Sequence, residues 1–297
     1  MLAAIENDIP LRSHLTQWSG TLRTQEVVIS LFGEYAEASD LVWVGGLVEL
    51  LGDLGITSNA ARVAVSRLHN RNLFESRKDG RHVFYQASGA LRKIIKEGRR
   101  HTYFQFFDVE WQGKWTFVTF SVPEGMVSAR RRFSRWLKFS GFGILQDGVW
   151  IAPNDRAGDI HQIAESLGLK DHVVALVGAL GDESQLSNLV GRVWDIDALS
   201  TRYAAYVSQF EALHQLANAT PIEVRDAFVL RTYAIEKFRQ ISELDPRLPG
   251  NVLGIDWQRR KAAEVIRTIK TEFEDRAAEY FAAKTRKQMN CRQVPAP

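Results

Sequence analysis

Residues 56–86 read ITSNAARVAVSRLHNRNLFESRKDGRHVFYQ, a helix pattern that passes directly into a basic hairpin pattern. The segments Leu73–Arg77 and Arg81–Gln86 read as two short strands around Lys78-Asp79-Gly80, a sequence typical of a tight turn. The inward face of the helix is predicted from apolar residues at helical spacing, namely Ala61, Val65 and Leu68. The segment therefore predicts a helix followed at once by an antiparallel ribbon.

Two further helices are predicted ahead of this segment. The first begins at Gln25 and ends near Tyr35, and the second is followed by Gly55 as a left-handed cap. Thr57 or Ser58 can then cap the third helix through a side-chain oxygen. The second helix is indicated by one apolar face, Leu47, Leu50, Leu51 and Leu54. Three helices followed by a basic hairpin are the layout of a winged helix-turn-helix, in which the third helix enters the major groove of DNA and the hairpin forms the wing.

The charge of the chain changes sign along this region. Residues 1–55 carry two basic and eight acidic side chains, a net charge of −6. Residues 56–101 carry eleven basic and three acidic side chains, a net charge of +8. A solvated charged face would explain a basic stretch alone. Here the positive charge coincides with the predicted helix and wing, so a surface for nucleic acid is favoured.

The predicted third helix turns short polar and basic side chains outward. Such residues allow the helix backbone to approach base edges in the major groove. The residues on or beside this outward face are Asn59, Arg62, Val63, Ser66, Arg67 and Asn70. Four basic residues cluster at the wing, where they can contact phosphate oxygens without reading sequence. They are Arg77, Lys78, Arg81 and His82.

A second domain is predicted after a helix over residues 88–101 that ends near Gly98. Its predicted elements are, in order, strand 115–122, helix 126–141, the hairpin of FGIL and VWIA, helix DIHQIAESLGL and strand HVVALVGAL. This β-α-β-β-α-β order is that of a ferredoxin-like domain. The remainder is helical, including a long amphipathic helix from Gln258. Its buried face is predicted to comprise Ala262, Val265, Ile266, Ile269 and Phe273.

These patterns together predict an α+β protein in four parts. An N-terminal arm covers residues 1–24, and a winged-helix domain covers residues 25–101. A ferredoxin-like middle domain covers residues 102–198, and a helical C-terminal domain with a polar tail covers residues 199–297.

The sequence offers few signs of catalysis or metal binding. Its seven histidines are scattered outside known ligand spacings, and Cys291 is its single cysteine. We therefore expect no catalytic residues, no metal and no cofactor. Because no signal peptide or long apolar span is present, we expect a cytoplasmic protein that does not bind membranes.

The chain also resembles the PaaX (phenylacetic-acid degradation repressor) family of bacterial transcriptional regulators. The resemblance begins at SLFGEYA (30–36) and continues through LGITSNAARVAVSRL (54–68) and RKDGRHVFYQASGA (77–90). It extends through WTFVTFSVPE (115–124) and SGFGILQDGVWIAP (140–153) to DPRLPGNVLGIDW (245–257). Several motifs in the right order are more specific than any one of them.

The resemblance implies a homodimeric repressor that binds a palindromic operator on double-stranded DNA near catabolic genes. Its inducer would be an aryl-CoA thioester such as phenylacetyl-CoA, or another aromatic catabolite. The middle domain would resemble the Cas2 nucleases. The DNA-reading role would fall to Ser58, Asn59, Arg62, Ser66 and Arg67, with Arg77, Lys78 and Arg81 on the wing. The sequence departs from the family pattern at several places, such as VLRTY at 229–233, so the identity of the inducer stays open. No effector-binding residue is assigned.

Two alternatives remain beside repression. One is a metal-dependent Cas2-like nuclease, although the acid nearest the end of the first middle-domain strand is Glu124, beyond Ser121-Val122-Pro123. The other is a winged helix that docks protein instead of DNA. Salt dependence of DNA binding tests the protein-docking hypothesis, because contacts to phosphates weaken steeply with salt. Magnesium-dependent cleavage of short duplexes tests the nuclease hypothesis.

Overall fold

The structure is a computed structural model that describes residues 22–103, 111, 113–182, 185–219, 221–246, 248 and 256–287. Most of the predicted arm and the tail with Cys291 lie outside these residues, as does part of the 245–257 motif. The chain forms two compact units. The first comprises the described residues within 1–100, 208–238 and 264–297, and the second those within 101–207 and 239–263. None of the helices among the described residues has the length and apolar character needed to cross a membrane.

The first unit begins with a winged-helix arrangement, which we call the head. Its helices are α1 (Thr24–Tyr35), α2 (Val44–Asp53) and α3 (Ser58–Asn70). Its strands are β1 (Val42–Trp43), β2 (Phe74–Asp79) and β3 (His82–Ala87), in the sheet order β1-β3-β2. The predicted α+β class is confirmed, and a further helix, α4 (Gly89–Tyr103), follows the head.

Local sequence explains the turns of the head. The predicted leucine face of α2 is buried, and Gly55 follows with φ +74°, a conformation that glycine adopts without a steric penalty. Thr57 is the cap of α3, since its Oγ1 accepts a hydrogen bond from the Ala60 amide at 3.3 Å. The predicted inward residues Ala61, Val65 and Leu68 are buried.

Three local predictions need correction. Strand β2 extends two residues further toward the turn than predicted, because Lys78 pairs with Val83 and Asp79 with His82, and β3 begins one residue later than predicted. The turn is therefore Gly80-Arg81, with φ +56° at Gly80. Helix α4 continues past Gly98, since a single glycine weakens a helix without having to end it. The sequence also gave no sign of β1, which is only two residues long.

The first unit is completed by parts of the helices that follow in the chain. Four helices are formed there: α8 (Ile196–Ala219), α9 (Val224–Ser242), α10 (Asp256–Glu272) and α11 (Glu274–Thr285). We call residues 224–238 of α9, residues 264–272 of α10 and the whole of α11 the bracing helices. Helix α11 packs on α1, α2 and β1 of the head. The predicted apolar face of α10 is buried along its whole length, from Ala262 to Phe273.

The second unit contains the predicted ferredoxin-like domain. Its strands are β4 (Lys114–Phe120), β5 (Gly143–Gln146), β6 (Val149–Pro153) and β7 (Val173–Ala179). Helix α5 (Val127–Phe139) follows β4, α6 (Ala157–Ser166) follows β6, and α7 (Leu186–Val193) follows β7. The sheet order β5-β6-β4-β7, antiparallel throughout, is that of the ferredoxin-like fold.

Both faces of this sheet are covered by apolar side chains. On one face, α5 and α6 pack against the strands through a core that includes Phe133, Leu137 and Trp150. On the other, a smaller core joins Trp115 and Ile151 to Val190 of α7 and to Leu248. Alternate residues along the strands therefore serve two separate cores.

Candidate nucleic-acid interface

Helix α3 separates a buried face from an exposed polar face. Ala61, Ala64, Val65 and Leu68 are buried in the head. All six residues predicted for DNA contact on this helix are exposed, namely Ser58, Asn59, Arg62, Val63, Ser66 and Arg67. Val63 is 41% exposed although it is apolar. Such a helix can enter a groove without displacing anything from its own core.

The wing carries its cations on both sides of the turn. Arg77 and Lys78 lie on β2, and Arg81 lies in the turn; all three are exposed. His82 differs, because it is half-buried and its ring meets the edge of Trp43 at a centroid distance of 5.6 Å. The structure therefore presents Arg77, Lys78 and Arg81 to solvent and uses His82 partly for packing.

The exposed cations of α3 and the wing have no acidic partner in the part of the chain that the structure describes. They are Arg62, Arg67, Arg77, Lys78 and Arg81, and none of them forms an ion pair or side-chain hydrogen bond there. Their positive charge is available to an external anion. Phosphate oxygens satisfy guanidinium and ammonium groups well because the resulting hydrogen bonds are charge-assisted.

Three acidic residues of the head are paired with cations of the bracing helices. Glu34 Oε1 accepts a hydrogen bond from Lys270 Nζ at 3.0 Å, and Glu34 Oε2 accepts one from Arg231 Nη2 at 3.2 Å. Two further pairs join the head to the bracing helices: Asp53 with Arg225 at 2.8 Å and Glu49 with Lys284 at 3.0 Å. Three acids of the head are thus paired with cations of the bracing helices, whereas the cations of α3 and the wing face solvent.

Tyrosines strengthen the contact between the head and the bracing helices. Tyr35 shares a hydrogen bond of 3.1 Å with Thr232, and the guanidinium of Arg231 lies 5.0 Å from its ring centroid. Burial raises the pKa of the Tyr35 hydroxyl, so this hydroxyl stays protonated. Tyr280 donates to Asp53 at 2.8 Å, and burial together with that bond raises its pKa to about 12. These contacts join α1 and α2, both of which pack against α3, to the bracing helices.

A cation that the sequence did not indicate lies beside the wing. Lys287 Nζ lies 4.3 Å from the ring centroid of Trp43, and the same ring also contacts His82 on the wing. Cation–π contacts of this kind form within about 6 Å of a ring centroid. Nothing in the local sequence around either residue could have indicated the pairing, because 244 positions separate them. Trp43 therefore connects the end of the bracing helices to the base of the wing.

The described residues contain no group of three or more His, Cys, Asp or Glu side chains arranged to hold a metal ion. Glu124, the acid considered for a nuclease, lies in a single 3-10 turn, Glu124–Met126, after β4 and is exposed.

Models of PaaX domains match the chain in three segments. The PaaX-like protein model matches residues 23–91, the PaaX protein central Cas2-like domain matches residues 108–190, and the PaaX-like protein C-terminal domain matches residues 194–283. Among solved structures, uncharacterized protein Rv0674 from Mycobacterium tuberculosis superposes with a TM-score of 0.52 at 18% sequence identity. The match covers 87% of this chain and 98% of that chain, and at this identity it shows the fold alone. Comparison with curated proteins finds no significant match.

Proposed function

Since the chain belongs to the PaaX family and is a PaaX-type transcriptional repressor, we propose that it controls genes of aromatic-compound catabolism by binding a palindromic operator as a homodimer. A small-molecule inducer releases it. In this proposal the 25–101 domain reads DNA, and the 102–198 and 199–297 domains provide dimerisation and inducer control. Because its target is chromosomal DNA, we place the protein in the cytoplasm.

One observation carries the DNA-binding part of the proposal. The exposed cations of α3 and the wing have no acidic partner among the described residues, while three acids of the head are paired with the bracing helices. Random surface charges would be interspersed in sign. A one-sided arrangement on a helix and hairpin of suitable shape favours a polyanion.

In the proposed mechanism, two copies of α3 enter successive major grooves of a palindrome, about 34–36 Å apart. Arg62 makes a bidentate contact with guanine, the commonest specific contact of this kind. Asn59 and Ser66 support it, together with Ser58, Val63 and Arg67 at the groove walls. Arg77, Lys78, Arg81 and His82 contact the phosphate backbone and set the register of the protein on the duplex.

Induction follows from differential binding. The inducer, an aryl-CoA thioester or another aromatic catabolite, must bind the DNA-incompetent arrangement more tightly than the competent one. By reciprocity, operator DNA then weakens inducer binding by the same factor.

The test is a fluorescence-anisotropy titration of the purified chain with duplexes from the region upstream of its own gene and its neighbours. We expect one duplex to bind in a sequence-dependent manner, with an affinity that falls steeply as salt rises from 50 to 200 mM, by about 10³-fold for six phosphate contacts. Footprinting should then show two half-sites. Affinity insensitive to salt would favour the protein-docking alternative, and magnesium-dependent cleavage of the duplex would favour the nuclease alternative.

A further inference from the structure

A cavity of about 530 Å³ lies within the first unit, between the loop that joins α1 to β1 and one side of α11. This volume lies in the range of pockets that hold small organic molecules, about 300–1,000 Å³. The cavity is at the head, beside the strand that pairs with the wing. The DNA-binding function described above makes no use of it.

The apolar part of the cavity suits a small apolar group, such as an aromatic ring. Tyr35 and Phe281 form one wall, with their rings stacked at a centroid distance of 5.4 Å. Leu41 and Val42 of the loop and the methyl groups of Ala278 and Ala282 on α11 complete the apolar lining. An aromatic or short aliphatic group would bury apolar surface here.

The polar part of the cavity is acidic. Three carboxylates, those of Asp40, Asp275 and Glu279, line it against the single guanidinium of Arg286. Asp40 is held in place because its Oδ2 accepts a hydrogen bond from the Glu37 amide at 2.9 Å. Asp275 and Glu279 lie four residues apart on α11, hence on the same face of the helix, and neither forms an ion pair in the described part of the chain.

This lining discriminates by charge. A ligand carrying one ammonium group would be attracted to the carboxylates, and its hydrogens would find acceptors in their oxygens. The several phosphates of a coenzyme A ester would instead be repelled at the same distance. The cavity therefore fits an organic cation better than the acyl-CoA class that family resemblance suggests for the inducer.

The wall formed by the loop is bonded directly to the wing. Val42 pairs with Tyr85 and Trp43 with Phe84. Val42, which lines the cavity, is therefore part of strand β1 in the same sheet as the wing. Gln86 on β3 also donates a hydrogen bond from Nε2 to the Ala38 carbonyl, at 2.9 Å, in the same loop. A ligand that changes the position of this loop must change the position of β3 as well.

We propose that this cavity is a binding site for a compact organic cation with an apolar, preferably aromatic, body, and that its occupancy lowers the affinity of the wing and α3 for DNA. The second half of this statement rests on the proposed function. The first half does not, since ligand binding can be measured without DNA.

The binding test uses the full chain and three molecules of one size that differ in charge: 2-phenylethylamine, 2-phenylethanol and phenylacetate. Calorimetric titration should show binding of the amine at least about 10-fold tighter than that of the alcohol, and no binding of phenylacetate. The double variant Asp275→Asn with Glu279→Gln should lose this preference. Glu264→Gln, an exposed acid on α10 away from the cavity, should retain it.

Equal affinity for the amine and the alcohol would overturn the site, as would unchanged amine binding by the double variant. The matched variant and thermal melting curves for all three proteins show whether a loss comes from misfolding. A double variant that melts below the wild type by more than the control is replaced by the single substitution Glu279→Gln, for which the same loss is expected.

The coupling test repeats the anisotropy titration with operator DNA at saturating amine. We expect the dissociation constant for DNA to rise by about 5-fold or more in the wild-type chain and to stay unchanged in the double variant. Amine binding without an effect on DNA affinity overturns the coupling and leaves the repressor function intact. Absence of DNA binding under all conditions overturns the repressor function, and amine binding then stands by itself.

Discussion

Arg231 on α9 donates a hydrogen bond to Glu34 on α1 at 3.2 Å, although 197 positions separate the two residues. Their side chains are 2% and 10% exposed. Burial alone would lower the pKa of Arg231, but its interactions with Tyr35 and Glu34 raise it overall, so the guanidinium stays charged. The head is therefore attached to the bracing helices through a buried charge pair as well as through apolar packing.

Glu34→Ala should destabilise the first unit strongly. It leaves the buried guanidinium of Arg231 and the ammonium of Lys270 without their shared carboxylate, and breaking a buried pair in this way costs about 3–5 kcal/mol. Urea unfolding followed by tryptophan fluorescence measures the loss. Glu97→Ala is the control, because Glu97 pairs with Lys93 on the surface, so its substitution should lower the free energy of unfolding by less than about 1 kcal/mol. Equal losses of unfolding free energy in the two variants would show that the buried pair contributes no more to stability than a surface pair.

Gly46→Ala and Gly52→Ala should change stability in opposite directions, although both lie in α2. A Cβ at Gly46 would stand 1.9 Å from the carbonyl oxygen of Lys284 on α11, so helix α11 must move and we expect a loss of about 1–3 kcal/mol or more. A Cβ at Gly52 meets nothing within 4 Å. Alanine there should stabilise the helix by about 0.5–1 kcal/mol. Thermal melting of the two variants checks the sign, and a stable Gly46→Ala protein would contradict the observed approach of α11.

Local patterns predicted most of the fold. The leucine face of α2, the cap at the start of α3 and the glycines of the turns depend on interactions within a few residues, so the sequence alone indicates them. The outward side chains of α3 were predicted for the same reason, since helical periodicity assigns one face once the other is known to be apolar. The roles of those side chains toward DNA stay predictions.

Long-range contacts could not be predicted. The sequence shows an excess of acids in residues 1–55 but not their partners, and Glu34, Glu49 and Asp53 pair with cations at least 172 positions away. The contact of Lys287 with Trp43 belongs to the same class. Each partner is an ordinary surface-type residue in its own segment, and only the packing of α9, α10 and α11 on the head brings the charges together.

Arg62→Ala should relax the sequence preference of DNA binding at one base position in each half-site. A bidentate contact with guanine contributes about 1–3 kcal/mol of discrimination, so binding of the cognate duplex should weaken by about 10-fold or more. Because Arg62 is exposed and unpaired in the described part of the chain, the variant should fold normally. Anisotropy titrations against duplexes with single base changes measure the effect. Uniform weakening on every duplex would assign Arg62 to the phosphate backbone instead.

Arg81→Ala should weaken binding to all duplexes by similar factors and leave the base preference unchanged. Arg81 lies in the turn of the wing, where it can reach phosphates, and each lost phosphate contact lowers the slope of log affinity against log salt by about 0.9. The slope is measured between 50 and 300 mM salt for the wild type and the variant. Glu75→Gln on β2 is the matched control, since it removes a charge of the opposite sign from the same ribbon and should not reduce the slope.

Alkaline pH should destabilise the first unit through Tyr233. This hydroxyl donates a hydrogen bond to the carbonyl of Leu54 at 2.9 Å, and burial raises its pKa from 10 to about 12. The folded state therefore holds the proton more tightly than the unfolded state does. The resulting stability is fully present below pH 10 and is lost as the pH rises from 10 to about 12, by about 1.4 kcal/mol per pH unit.

Tyr233→Phe separates this contribution from the rest of the alkaline unfolding. The variant should be less stable than the wild type by about 1–3 kcal/mol at pH 8, because the Leu54 carbonyl loses its donor inside the protein. Its stability should then fall less steeply between pH 10 and 12, so the two curves converge. Urea midpoints measured at half-unit steps of pH give both curves, and tyrosinate absorbance at 295 nm follows the ionisation directly. Parallel curves would mean that Tyr233 ionises as easily in the folded chain as in the unfolded one, contrary to the burial of its hydroxyl beneath α2.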